Sequence, residues 1–265
     1  MQDTSFISLL AGLQPQEAGF SVDLPADWLQ GRTAYGGLSA ALAYAATTSM
    51  LPGLPPLRSA HFAFVGPAMG TLGIAPSVLR QGKSTTFVGV DLTGEAGLAV
   101  RALLCFGADR DSILDHQDLP APPAAAPDAC PDFFNSAGRP GFTRHFDGRL
   151  AGGARPLTPD AEPMMLVWLK HRDMVGDDVL TGLIALADAL PPAAMVMFPA
   201  EWRPISTMTW TIDMLTDSPS SASGWWLVRN VAQTAAGGYS AQDMTIWDES
   251  GRPIAAMRQT VAIFA

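Results

Sequence analysis

Cysteine is scarce in this chain: the 265 residues hold two, Cys105 and Cys130. Two cysteines build no disulfide framework, and no C-x-x-C pair offers a metal site. Cys105 stands in an apolar run and Cys130 in a Pro/Ala-rich stretch, a usage that fits a reducing cytoplasm. Charge is scarce as well, at 15% of residues against about 25% in ordinary proteins. Much of the chain must therefore be buried in a core or a subunit interface, which predicts a homo-oligomer. What charge there is leans acidic, with a formal net charge of −9. A surface of that sign repels phosphate backbones and argues against nucleic acid as a partner. Long hydrophobic runs are missing too. The longest, Leu38 to Leu54, is broken by Ser39, Thr47, Thr48, Ser49 and Pro52, too polar for a span of about 20 residues. Asp3 stands where a signal peptide carries basic residues, and the apolar run from Phe6 to Leu10 is short. These absences predict a soluble, cytoplasmic chain with no membrane span.

Several common sites are absent. Gly82-Lys83-Ser84 looks like the end of a phosphate loop, but that motif needs glycine at position 77, which holds Ser77. The segment also joins two strand patterns, where the motif requires a helix, and reads as a hairpin turn. The nearest approach to a G-x-S-x-G elbow, Gly238-Tyr239-Ser240-Ala241-Gln242, lacks the last glycine. His61, His116, His145 and His171 have no paired spacing for a metal. A conventional serine hydrolase or zinc enzyme does not fit, and no cofactor is implied.

What is present is a repeat. A strand at Phe20–Leu24 precedes Gly36-Gly37, which opens an Ala-rich helix that is apolar around its whole circumference, hence buried. Pro52, Pro55 and Pro56 end it. Strand patterns follow near Leu57–Val65, Leu72–Leu79, Ser84–Leu92 and Leu98–Phe106, separated by turn chemistry. The second half repeats the order. A strand at Met164–His171 leads to a helix entered at Asp177-Asp178 and stopped by Pro191-Pro192; strands follow near Ser206–Leu215, Trp225–Thr234, Ala241–Trp247 and Ile254–Phe264. The β-α-β-β-β-β unit thus occurs twice. Residues 1–115 and 161–265 form the two domains, and 116–160, with five prolines between Leu119 and Pro131, reads as a linker packed over the surface. A single apolar helix with four or five antiparallel strands is satisfied when the sheet wraps the helix, so the expected α+β fold has two sheets, each around a central helix. An unrelated pair of α+β domains is the alternative.

These motifs resemble the acyl-CoA thioesterase II (TesB-like) double-hotdog family. The resemblance lies in Gly31-Arg32-Thr33-Ala34-Tyr35-Gly36-Gly37 before the helix, Arg58-Ser59-Ala60-His61-Phe62 with Gly66-Pro67, and Arg80-Gln81-Gly82-Lys83-Ser84 with Phe87. In the second half it continues through Trp168-Leu169-Lys170-His171-Arg172, Asp177-Asp178 and the strand holding Asp213. The resemblance implies hydrolysis of acyl-CoA to free acid and coenzyme A by an activated water. It implies a catalytic set of Asp213, Thr234 and Gln259. The N-terminus of the buried helix, with Gly36 and Gly37, offers an oxyanion or substrate-binding place to which His61 is added. Aligning the halves by their Gly66-Pro67 and Ser218-Pro219 turns sets His61 opposite Asp213, so only one half-site is expected to work. Alternatives on the same fold are a non-catalytic acyl-binding protein and an acyl-CoA hydratase or dehydratase, though the Asp-x-Asn-Pro-x-His-type segment of the latter is missing.

Read as residues alone, each member is suggestive. Asp213 lies on the strand face opposite Trp210, Ile212 and Met214, and a solvent-facing acid is the plain alternative. Gln259 alternates in phase with Met257, Val261 and Ile263, so its amide is expected to be buried and in need of partners. Thr234 is in phase with Val228 and Ala232, as an ordinary strand threonine also would be. Water attacking an activated thioester needs orientation and partial deprotonation more than a covalent relay.

Overall fold

A helix that is apolar on every side is stable only where sheet or helix covers every side, and that requirement organises the chain. The computed structural model describes residues 3–136, 138–173, 175, 176, 178–199 and 201–264; Asp177 lies outside them. Helix α1 (Phe6–Ala11) and strands β1 (Gln14–Gln16) and β2 (Gly19–Asp23) open the chain. A short ribbon of β3 (Leu29–Gln30) and β4 (Thr33–Ala34) leads to α2 (Gly36–Met50), followed by β5 (Leu57–Phe64), β6 (Thr71–Gln81), β7 (Thr85–Gly94) and β8 (Gly97–Gly107). After a long connection come β9 (Phe146–Gly153), β10 (Met164–His171), α3 (Val179–Ala187), β11 (Ile205–Met214), β12 (Trp226–Ala236), β13 (Tyr239–Trp247) and β14 (Pro253–Ile263). Gly37 through Thr47 of α2 are all buried, as the Ala-rich sequence requires.

The strands run in the order β1-β2-β6-β7-β8-β5-β11-β14-β13-β12-β10-β9 in one twelve-stranded sheet. The order β2-β6-β7-β8-β5 of the first unit recurs as β10-β12-β13-β14-β11 in the second, so the duplication seen in sequence is a duplication of topology. The expected two separate sheets are in fact one. β5 and β11 would each end its unit's sheet with a row of unpaired backbone groups, and pairing them satisfies both edges. At this seam Phe62 lies opposite Trp210, and His61 opposite Thr211.

Segment 116–160 also departs from the linker reading. Its first part is a strap over the second unit, held by Trp168 Nε1–H donating to Ala125 O (2.9 Å) and Trp247 Nε1–H donating to Leu119 O (2.8 Å). Its last part enters the fold: β9 pairs antiparallel with β10. Glycines at 148, 152 and 153 dilute the strand pattern, but Gly148 is required, because a Cβ there would sit 2.8 Å from the Phe134 ring. Phe142 and Phe146 join Trp28, Tyr35 and His171 in a buried aromatic cluster, with Tyr35 and Phe142 stacked at 4.0 Å and Phe146 against His171 at 4.7 Å. The cluster ties connection, first unit and second unit together. Truncating the fully buried Phe146 to alanine is expected to cost about 3–5 kcal/mol, read as a lowered denaturant midpoint; a loss below about 1 kcal/mol would show that this segment is not part of the core.

Candidate active site

Between Val179 and Pro199 the sequence contains one charged residue, Asp188, in an otherwise apolar run. Helix α3 ends at Ala187, one residue short of it, and not near Leu190 as the run suggests. Asp188 takes non-helical angles as the C-cap, which turns its carboxylate off the α3 axis and toward the N-terminus of α2. The two helices approach closely there because the contact residues are small. A Cβ on Gly37 would lie 2.4 Å from Ala185 O, and one on Gly36 would lie 2.6 Å from Asp188 Oδ2 and 2.9 Å from the Phe64 ring. Tyr35, just before the helix, donates its hydroxyl to Ala185 O at 3.1 Å and fixes the crossing. Burial, with Asp188 nearby, holds the Tyr35 phenol protonated far above its ordinary range.

The Asp188 carboxylate is largely shielded yet keeps a face on the cleft. Gln259 Nε2–H donates to Oδ1 at 2.6 Å, and the Gly37 backbone N–H at the start of α2 also favours the ionised form. Gln259 is itself oriented: its Oε1 accepts from Gln242 Nε2 at 2.7 Å, and Gln242 Oε1 accepts from the Ala193 N–H at 2.8 Å. Each amide spends its oxygen on the previous member of the relay, so its N–H groups face onward and Asp188 is the terminal acceptor. Burial pushes the Asp188 pKa up to about 7, against the opposing pull of the Gln259 and Gly37 bonds. A carboxylic acid poised near neutrality beside a helix N-terminus is what proton transfer at neutral pH calls for.

Asp188, Gly36 and Phe64 line a cleft of about 870 Å³, roofed by Phe133, Phe134 and Phe142 from the connection between the units. The two helix N-termini differ. Asp178 caps α3, its Oδ1 accepting from the Thr181 N–H at 3.1 Å, whereas α2 has no side-chain cap and leaves its dipole to Asp188 and the cleft. The duplicated fold thus has one open helix end and one that its own carboxylate closes.

Of the expected catalytic residues, the structure brings Gln259 to this site and leaves Asp213 and Thr234 on the other side of the sheet. Gln259 lies opposite Trp210 and Gln242, while Asp213 lies opposite Ala256 and Ser59, three residues further along each strand and therefore on the outer face. Thr234 lies opposite Ala241, the neighbour of Gln242, and is exposed. A bulge between Ala232 and Thr234 inserts Gln233 and inverts the phase that had aligned Thr234 with Val228. His61 is also on the outer face, its Nδ1 3.0 Å from Thr211 Oγ1, away from the cleft. Gly36 and Gly37 do flank the buried acid. Asp188 and Gln242 went unread in the sequence; the signal for the first was a lone acid inside an apolar run, where an unpaired carboxylate is rare.

A family model for the acyl-CoA thioesterase N-terminal domain matches residues 24–107, and one for the acyl-CoA thioesterase C-terminal domain matches residues 117–263. The chain belongs to the acyl-CoA thioesterase family. It is accordingly a thioester hydrolase with acyl-CoA as its substrate class, and its fold is a hotdog. The thioesterase superposes on a conserved hot dog fold protein from Alicyclobacillus acidocaldarius with TM-score 0.85 at 21% identity, covering 98% of each chain. It is similar to the tesB protein of Mycobacterium avium subs paratuberculosis (TM-score 0.79, 16% identity, 98% of each chain). It is also similar to the acyl-CoA thioesterase II TesB2 of Mycobacterium marinum (TM-score 0.77, 19% identity, 97% of each chain). No curated protein matches the sequence. No helix among the described residues is long and apolar enough to cross a membrane.

The raised Asp188 pKa makes a stability prediction. In the unfolded chain the carboxyl ionises near 3.8, and in the folded thioesterase near 7. The neutral buried acid costs nothing extra below the first value, and the folded state loses stability as pH rises through the second. Asp188→Asn cannot ionise, so its Tm relative to wild type is expected to rise between pH 5 and pH 8. A difference that is flat with pH would show that the carboxyl ionises normally.

Proposed function

We propose that Asp188 is the general base for hydrolysis of an acyl-CoA thioester, with Gln259 and Gln242 orienting it and the N-terminus of α2 stabilising the oxyanion. Asp188 in its ionised form takes a proton from a water lying in the cleft, and the hydroxide attacks the thioester carbonyl carbon. Charge develops on the carbonyl oxygen, which Gly36 lets approach the N–H groups and positive dipole end of α2. The tetrahedral intermediate collapses by breaking the C–S bond, and the proton held by Asp188 passes to the departing thiolate. No covalent enzyme intermediate is needed, because a thioester is already activated. The observation that carries this reading is a shielded carboxyl, poised near neutrality, set between a glutamine amide and a helix N-terminus in the wall of a cleft.

The cleft favours an apolar acyl group, since Phe64, Phe133, Phe142, Leu190 and Met195 are among its walls. A place in fatty acid metabolism follows from that lining. The two free cysteines suit the cytoplasm, and the low charge content favours self-association into a homo-oligomer.

Thiol release from a panel of short, medium, long and aromatic acyl-CoAs tests the mechanism. Asp188→Asn is expected to lower kcat by about 10²-fold or more, the usual share of a general base, and Gln259→Ala to lower it by a smaller factor. Asp213→Asn is expected to remain close to wild type. A reversed pattern, with Asp213 essential and Asp188 dispensable, would refute the assignment. In wild type, kcat/KM should rise with pH as one group ionises near 7 and level off above it; a profile flat from pH 5 to 9 would remove Asp188 as the base.

A further inference from the structure

The cleft reverses the charge balance of the chain that forms it. The protein has 16 basic against 25 acidic side chains, yet the cleft lining contains Arg139, Arg155 and Arg203 and one carboxylate, Asp188. The three arginines are not equivalent. Arg155 stacks on the Phe133 ring at 5.6 Å and donates to the carbonyls of Phe133 (2.6 Å) and Asp132 and to Asn135 Oδ1 (3.2 Å). It is committed to holding the roof. Arg139 and Arg203 are exposed at the rim. The ion pair of Arg203 with Glu201 is long, at 3.7 Å, and exposed on both sides, so it contributes little and yields readily to a stronger anion. Among the ion pairs of the described residues none involves Arg139.

Trp202 stands beside Arg203 on the same rim with 52% of its surface exposed, whereas Trp28, Trp168, Trp210, Trp226 and Trp247 are all buried. Trp202 is the most exposed indole among the described residues and leaves a flat aromatic face in solvent. Guanidinium groups recognise phosphate oxygens bidentately, and a flat aromatic ring offers a stacking face to a base. An exposed indole beside the loosely paired Arg203, with Arg139 on the same cleft lining, therefore has the chemistry that recognises a nucleotide bearing several phosphates.

We propose that Trp202, Arg203 and Arg139 form the dock for the nucleotide end of coenzyme A. The indole stacks on the adenine ring and the two guanidinium groups take its phosphates at the rim. The uncharged pantetheine arm then descends between the Phe134 roof and Pro191-Pro192 to deliver the thioester to Asp188. The proposal rests on the reading of Asp188 as the hydrolytic centre, because the dock has meaning for turnover only if the thioester ends there.

Two substrates separate the dock from the chemistry: an acyl-CoA, and the same acyl group on N-acetylcysteamine, which lacks the nucleotide. Wild type is expected to prefer the CoA thioester. In the double variant Arg139→Ala, Arg203→Ala, KM for acyl-CoA should rise about tenfold or more with kcat little changed, the scale of losing charge-assisted hydrogen bonds. The preference over the truncated thioester should shrink by the same factor. Trp202→Ala should act in the same direction. Isothermal calorimetry with free coenzyme A and with pantetheine gives a readout that needs no turnover: the variants should weaken the first and leave the second unchanged. Unaltered KM and coenzyme A binding, or equal losses on both thioesters, would overturn the dock. A wild type that binds coenzyme A but cleaves neither thioester would instead overturn the hydrolase reading, with calorimetry still deciding the dock.

Discussion

The candidate site depends on one carboxyl group set among apolar elements at the wall of a cleft. An acid so shielded from solvent survives only when its neutral form is favoured or its charge is well solvated by protein, and this site does some of each: burial raises the Asp188 pKa to about 7, while Gln259 and the Gly37 N–H pull the other way. Much else in the fold serves that balance. The donors must arrive from different elements, which fixes how closely α2 and α3 cross and hence why their contact is built from Gly36, Gly37 and Ala185. The amide of Gln259 must not rotate, which explains a second buried glutamine, Gln242, tied to the Ala193 backbone.

Duplication supplied the parts and asymmetry made them work. Both units have the same strand order, and the seam between β5 and β11 merges them into a single sheet. A symmetric pair would present two equivalent helix N-termini. Instead the start of α3 is closed by its own Asp178, and only the start of α2 faces the cleft. The buried acid comes from the end of α3 and the helix start from the other unit, so neither half holds a complete site. The connection between the units contributes as well, since its Phe133, Phe134 and Phe142 roof the cleft and its Arg139 stands at the rim.

Much of the architecture was legible from residues. The all-apolar Ala-rich segment specified a buried helix, the proline pairs its ends, and the alternating runs nearly all of the major strands, because these are local patterns with a fixed period. The phase of Gln259 put its amide in the core correctly. Other inferences failed for physical reasons. Alternation placed Thr234 inward because a bulge, one extra residue at Gln233, is invisible to a period of two. Segment 146–153 carries glycines that look like linker chemistry, yet one of them, Gly148, is there to let Phe134 pack against the strand. Asp213 stood on the outward phase in the sequence itself; the family likeness, and no property of the residue, had drawn it into the site.

By itself, then, the sequence determined the two buried helices, most of the long strands and the fact that the unit occurs twice, since each follows from the apolar pattern of a single stretch of chain. Only the tertiary structure decided which acid meets Gln259 and the start of α2. Asp188, Gln242, Gln259 and Gly37 come from four separate elements, and a carboxyl's proton affinity is set by what surrounds it in space. Contacts between residues 17 to 150 positions apart leave no periodic trace in the chain, so the surroundings of Asp188 exist only once the sheet has closed around the two helices.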